Sequence, residues 1–145
     1  MVEFVGFVSD EELVEYYRRA RALLFPGVED FGIVPVEAIA AGCPVIAFKK
    51  GGILDSMTEE TAVLYSHQSA DGLSEGIRTF EDSLGKFDEA ALRKRAALFG
   101  EEAFLRGFEA ILQAALSRLL GNASRDAGLH QPLPVDETLD WSLAE

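Results

Sequence analysis

Two carboxylates eight residues apart, Glu29 and Glu37, frame the segment EDFGIVPVE at residues 29–37. Glu29 follows a short apolar run at residues 22–25 (ALLF), closed by Pro26 and Gly27. Glu37 falls in a stretch that reads as helix. Pro35 suits the first turn of that helix, where its missing N–H costs nothing. A carboxylate accepts two hydrogen bonds, so Glu37 could clamp a pair of vicinal hydroxyls. A helix N-terminus offers N–H groups and a partial positive charge, which suit a phosphate. Gly32 carries no side chain to hold that phosphate off the backbone. Loop, helix start and carboxylates together make a place for a phosphorylated sugar. An isolated pair of glutamates at this spacing is better read as solvated surface. The same pair could also serve as the acid and base of a glycosidase, which needs a fixed distance across a scissile bond.

The elements that must position these groups alternate. Residues 2–8 (VEFVGFV) read as a strand rich in Val and Phe. Ser9 and Glu12 form a capping box ahead of a helix over residues 10–21, with Leu13, Tyr16, Tyr17 and Ala20 on one face. Residues 22–25 read as a strand, and 27–33 as a loop. The helix carrying Glu37 stops at Gly42, in the position of a left-handed cap. Strand follows at residues 44–48 (PVIAF), then a glycine loop at 49–52, then strand at 61–65. A helix is expected over 70–80, with Leu73, Ile77 and Phe80 inward, and another after Asp88 through Leu98. The longest helix is expected over 101–120, with Phe104, Phe108, Ile111, Leu112, Ala115 and Leu119 along one stripe that reads as ordinary core. Strand–helix alternation of this kind means an α/β unit with a parallel sheet, whose ligands bind beyond the strand C-termini. Both glutamates fall there.

Composition narrows the function classes. The chain has 145 residues, the length of one domain, with 48% hydrophobic and 26% charged residues. A net charge of −12 repels phosphate backbones, so nucleic-acid partners are not expected. No apolar run is long enough for a membrane span, and the N-terminus lacks the features of a signal peptide. Cys43 is the single cysteine. It reads as a small buried residue, and no histidine stands near it in sequence for a Cys–His pair. His67 and His130 read as surface residues, and no metal site is expected. A cytoplasmic location is the default expectation.

The flanks of the two glutamates carry a resemblance. The segment from Glu29 to Glu37 is similar to the E-x7-E signature of retaining GT-B glycosyltransferases of the "group 1" family. VEFVGFVSDEEL at residues 2–13 resembles that family's V-x-F-x-G-x-V-S-D-E-E-L segment. AAGCPVIAF at residues 40–48 resembles its A-x-G-x-P-V-I-A strand. Lys50, Gly51, Gly52 and Asp55 resemble its G-G-x-x-E loop, with Asp in place of the commoner Glu. FGEEAF at residues 99–104 resembles the start of its closing helices. The likeness covers residues 2–120, and several ordered motifs at consistent spacing make it specific.

The resemblance implies a partial Rossmann-like parallel sheet with flanking helices, the C-terminal half of a GT-B fold. It implies a partial donor-binding domain over 1–120, and an acidic, disordered tail is expected over 121–145. Glu37 would bind the ribose hydroxyls of a nucleotide-sugar donor. Glu29 would be the catalytic-side carboxylate, approaching the hydroxyls of the transferred sugar. The backbone of Phe31, Gly32 and Ile33 would contact sugar or diphosphate. Gly6, Phe7 and Val8, as the loop after the first strand, would lie near the base. The reaction would move a hexose to an acceptor with retention at the anomeric carbon, the donor being a substrate and no cofactor being implied. The wording EDFGIVPVEA is similar to that of mannosyltransferases using GDP-mannose.

The same resemblance implies absent parts. The N-terminal acceptor domain would have to be supplied in cis or in trans, and with it any peripheral membrane contact. The first β-α-β-α of the donor domain, with its basic Arg and Lys pair, lies outside the sequence too. The strand at residues 2–8 would then be separated from the next by two missing strands, and transfer by these 145 residues alone is not expected. Two other classes stay open on the sequence: a non-catalytic nucleotide-binding or interaction module, and a hydrolase using Glu29 and Glu37.

Overall fold

The computed structural model describes residues 2–123. The chain divides into two compact units, Met1–Phe104 and Leu105–Glu145. The first unit is an α/β sandwich. Its elements run α1 (Asp10–Arg19), β1 (Leu23–Phe25), α2 (Ile33–Ala40), β2 (Val45–Phe48), α3 (Ile53–Ser56), β3 (Ala62–Tyr65), α4 (Ala70–Asp82) and α5 (Glu89–Ala96), closed by a 3-10 turn at Ala97–Phe99. The strands form one parallel sheet in the order β1-β2-β3, with Leu23 beside Val45 and Val45 beside Ala62.

Parallel strands joined by helices bury both faces, so each strand contributes alternate residues to two cores. On one face Leu23, Phe25, Val45, Ala47, Ala62 and Leu64 pack with Tyr17 of α1, Ala38 and Ile39 of α2, and Leu92 and Ala96 of α5. On the other, Ala22, Ile46, Phe48, Val63 and Tyr65 pack with Leu73, Ile77 and Phe80 of α4 and with Phe87. The helix starts are local and follow the sequence. Ser9 accepts from the Glu12 N–H while the Glu12 carboxylate accepts from the Ser9 N–H. Ser69 caps α4 through the Gly72 N–H, and Asp88 caps α5 through the Ala91 N–H. Gly42, at φ +89°, ends the α2 region as expected. Cys43 is buried, and burial pushes its thiol up to about 11.

Two expectations are corrected. Residues 2–8 form no strand. Phe4 is 95% and Phe7 100% exposed, and among the described residues β1 pairs only with β2. A strand is stabilised by its neighbours, and among the described residues none lies beside this segment. The stripe on the last helix, α6 (Glu101–Ala123), is likewise not core. Phe104, Phe108, Ile111, Leu112 and Leu119 are all exposed. Helix α6 also continues past residue 120 to Ala123. The rest of the expected tail, with His130 and Trp141, lies outside the described residues. Among the described residues no helix is long and apolar enough to cross a membrane.

Candidate functional site

Parallel strands send all their C-terminal ends to one edge of the sheet, where the connecting loops meet. Three loops gather there, at residues 26–32 after β1, 49–52 after β2 and 66–69 after β3. They are tied together. The Gly52 N–H donates to the Glu29 carbonyl at 2.8 Å, and the Gln68 side-chain amide donates to the Pro26 carbonyl at 3.0 Å. The first two loops are seated so closely that a Cβ on Gly52 would lie 2.1 Å from the Asp30 carbonyl oxygen. No side chain fits that gap, so glycine at this position is what lets the second loop fix the backbone of the first.

The first loop runs into α2 through Gly32, which is buried and holds φ +79°. A left-handed residue at this point turns the chain sharply into the helix. Gly32 offers no side-chain cap, and the first turn of α2 carries no acidic residue. The positive end of the helix therefore carries no protein carboxylate in its first turn, an arrangement suited to an incoming anion. Glu29 is exposed in the loop, and Ile33 is exposed as the first residue of α2. Glu37 is exposed one turn further along α2. Its Oε2 accepts from the buried Tyr17 hydroxyl of α1 at 3.4 Å. Burial first, and then the Glu37 carboxylate, push that hydroxyl above its ordinary range. Lys49 and Lys50 are exposed in the second loop.

Glu29, Phe31, Gly32, Ile33 and Glu37 thus share one loop–helix unit at the carboxyl edge of the sheet. Gly6, Phe7 and Val8 follow no strand, contrary to expectation, and Gly6 takes φ +68° in an irregular segment that leads into α1. Sequence reasoning missed Tyr17, read as plain core, and the supports behind Phe31. The Phe31 ring meets the Phe99 ring edge-on at 5.8 Å. The Arg95 guanidinium lies over Phe99 at 5.1 Å. Nothing local marks these contacts, which join residues far apart in sequence. Among the described residues no group of three or more His, Cys, Asp or Glu is placed to hold a metal ion.

The model of the family described as "Glycosyl transferases group 1" matches residues 1–97. Over 107 residues the chain is 35% identical to the human alpha-1,3/1,6-mannosyltransferase ALG2, covering 71% of this chain and 26% of that protein. Over 95 residues it is 34% identical to a glycogen synthase of Mycobacterium tuberculosis, covering 64% of this chain and 22% of that protein. Among solved structures, sucrose-phosphate synthase from Thermosynechococcus elongatus superposes with a TM-score of 0.63 at 34% identity, over 83% of this chain and 30% of that one. The chain therefore spans about a quarter of the length of the curated relatives it matches.

Proposed function

The chain belongs to the glycosyl transferases group 1 family, with a GT-B type of parallel α/β fold, and from that premise we propose that it is the donor-binding portion of a retaining hexosyltransferase. The donor is a nucleotide sugar, and mannose on GDP is the reading that the sequence around Glu29 favours. One observation carries the proposal: the loop of residues 26–32 is clamped by Gly52 and sets the exposed Glu29 ahead of an α2 N-terminus free of side-chain caps, with the exposed Glu37 one turn along that helix.

Each group then has a task. The diphosphate lies at the N-terminus of α2, where N–H groups and the helix dipole stabilise its charge. That charge grows as the glycosidic bond breaks, so fixed dipoles aimed at it lower the barrier. Glu37 accepts hydrogen bonds from both ribose hydroxyls, its carboxylate steadied by Tyr17. Glu29 accepts from hydroxyls of the transferred hexose and favours the positive charge that develops at the anomeric carbon. An acceptor-binding domain, in cis or in trans, completes the reaction, and these 145 residues alone do not transfer sugar.

Calorimetric titration of the chain with GDP-mannose, GDP, UDP and ADP tests the reading. One nucleotide binds with a stoichiometry of one, and Glu37→Ala weakens it about a hundredfold or more, since two charge-assisted hydrogen bonds are lost. Binding of none of the four, or unchanged affinity in Glu37→Ala, contradicts it.

A further inference from the structure

We propose that Arg95 and Phe99 are positioning residues for the donor loop, acting through Phe31 and α3; the inference rests on the donor-site reading above. The contacts form a closed circuit. Glu29 is held through its carbonyl by the Gly52 N–H. Gly52 caps α3, a helix of only four residues. So short a helix leaves its last carbonyls without helical partners. Arg95 of α5 supplies them, with Nε donating to the Ser56 carbonyl at 2.9 Å and a terminal nitrogen donating to the Asp55 carbonyl. The same guanidinium lies over the Phe99 ring, and the edge-on contact with Phe31 returns the circuit to the donor loop. Two points of that loop, Glu29 and Phe31, are thus fixed by one arginine. They lie on either side of Asp30 and immediately ahead of Gly32, where the diphosphate is placed.

The circuit meets the core only through α3, by Ile53 and the buried Ser56. Arg95 and Phe99 themselves are half-buried and stand outside the core built around Ile39, Ile46, Val45 and Leu92. Their neighbours on the same turns, Leu92 and Ala96, are the core residues of α5. A planar fork suits the role: guanidinium can donate to two carbonyls while its face lies on an aromatic ring, which an ammonium cannot do.

Peptide-resolved amide hydrogen exchange on the ligand-free 145-residue chain tests the proposal. In Phe99→Ala and in Arg95→Ala, amides of residues 27–33 and 50–56 exchange at least tenfold faster than in the wild type. Those of residues 45–48 and 62–65 stay within twofold, and Phe99→Tyr, which keeps the ring, stays at wild-type values throughout. A uniform rise across strands and loops, or no rise in the two loops, overturns the proposal. Should Phe99→Ala lose its cooperative melt, Phe99→Leu, which keeps bulk but loses the aromatic face, is read by the same criteria. Glu37→Ala leaves the exchange pattern unchanged, and its nucleotide affinity reports on the donor reading alone, so failure of one is told from failure of the other.

Discussion

At the residue scale, the site depends on where protons and lone pairs sit. Tyr17 is buried with its hydroxyl toward Glu37, so it can only donate there while it keeps its proton. Its ionisation is held above the ordinary range by burial and by the carboxylate. Cys43 behaves alike for a plainer reason: burial alone lifts its thiol from 9.0 to about 11. Both groups hold their protons more tightly in the folded chain than in the unfolded one. The stability they contribute is therefore fully present below the unfolded values, near pH 9 for the thiol, and is lost as pH rises through the folded ones. Denaturant midpoints measured from pH 7 to pH 11 should stay level to about pH 9 and then fall; Cys43→Ala should fall less steeply. A steeper fall in Cys43→Ala, or a rise in the wild type above pH 9, would contradict this assignment. The roles proposed for Glu29 and Glu37 rest on flanks that match a family pattern. The contact of Tyr17 with Glu37 was not legible, because a tyrosine on an amphipathic face carries no sign of whom its hydroxyl meets.

At the scale of elements, two loops have to interlock before the carboxylates are useful. Gly52 is the point of contact, with the Asp30 carbonyl oxygen 2.1 Å from where a Cβ would stand. That neighbour is backbone and cannot swing aside as a side chain could. Gly52→Ala is expected to cost about 1–3 kcal/mol, the range of forced overpacking, and to weaken nucleotide binding together with stability. Urea unfolding and calorimetry on the same variant check both, and an unchanged midpoint would show that the loops are not seated as described. Helices were readable here because their starts are local: the Ser9–Glu12 box and the Asp88 cap need only residues three positions away. The segment at residues 2–8 has equal local credentials as a strand. It fails because pairing is supplied from outside a strand, and among the described residues β1 has β2 alone for a neighbour. The apolar stripe of α6 shows the same limit, since periodicity says which face is apolar and not whether anything covers it.

At the scale of the whole molecule, a small parallel sheet with both faces covered sends its connecting loops to one edge, and the loop–helix unit proposed to hold the donor lies there. Ligand that binds only the folded state raises its melting midpoint. The central claim is that the Glu37 carboxylate holds both hydroxyls of the donor ribose. The most direct test is the melting midpoint of the chain and of Glu37→Ala with GDP, UDP and ADP, and with the 2′-deoxy counterpart of each. The account predicts that one ribonucleotide raises the wild-type midpoint, that its 2′-deoxy form raises it less, and that the two act alike on Glu37→Ala. A 2′-deoxy form as effective as the ribonucleotide on the wild type, or a difference that survives in Glu37→Ala, would contradict it.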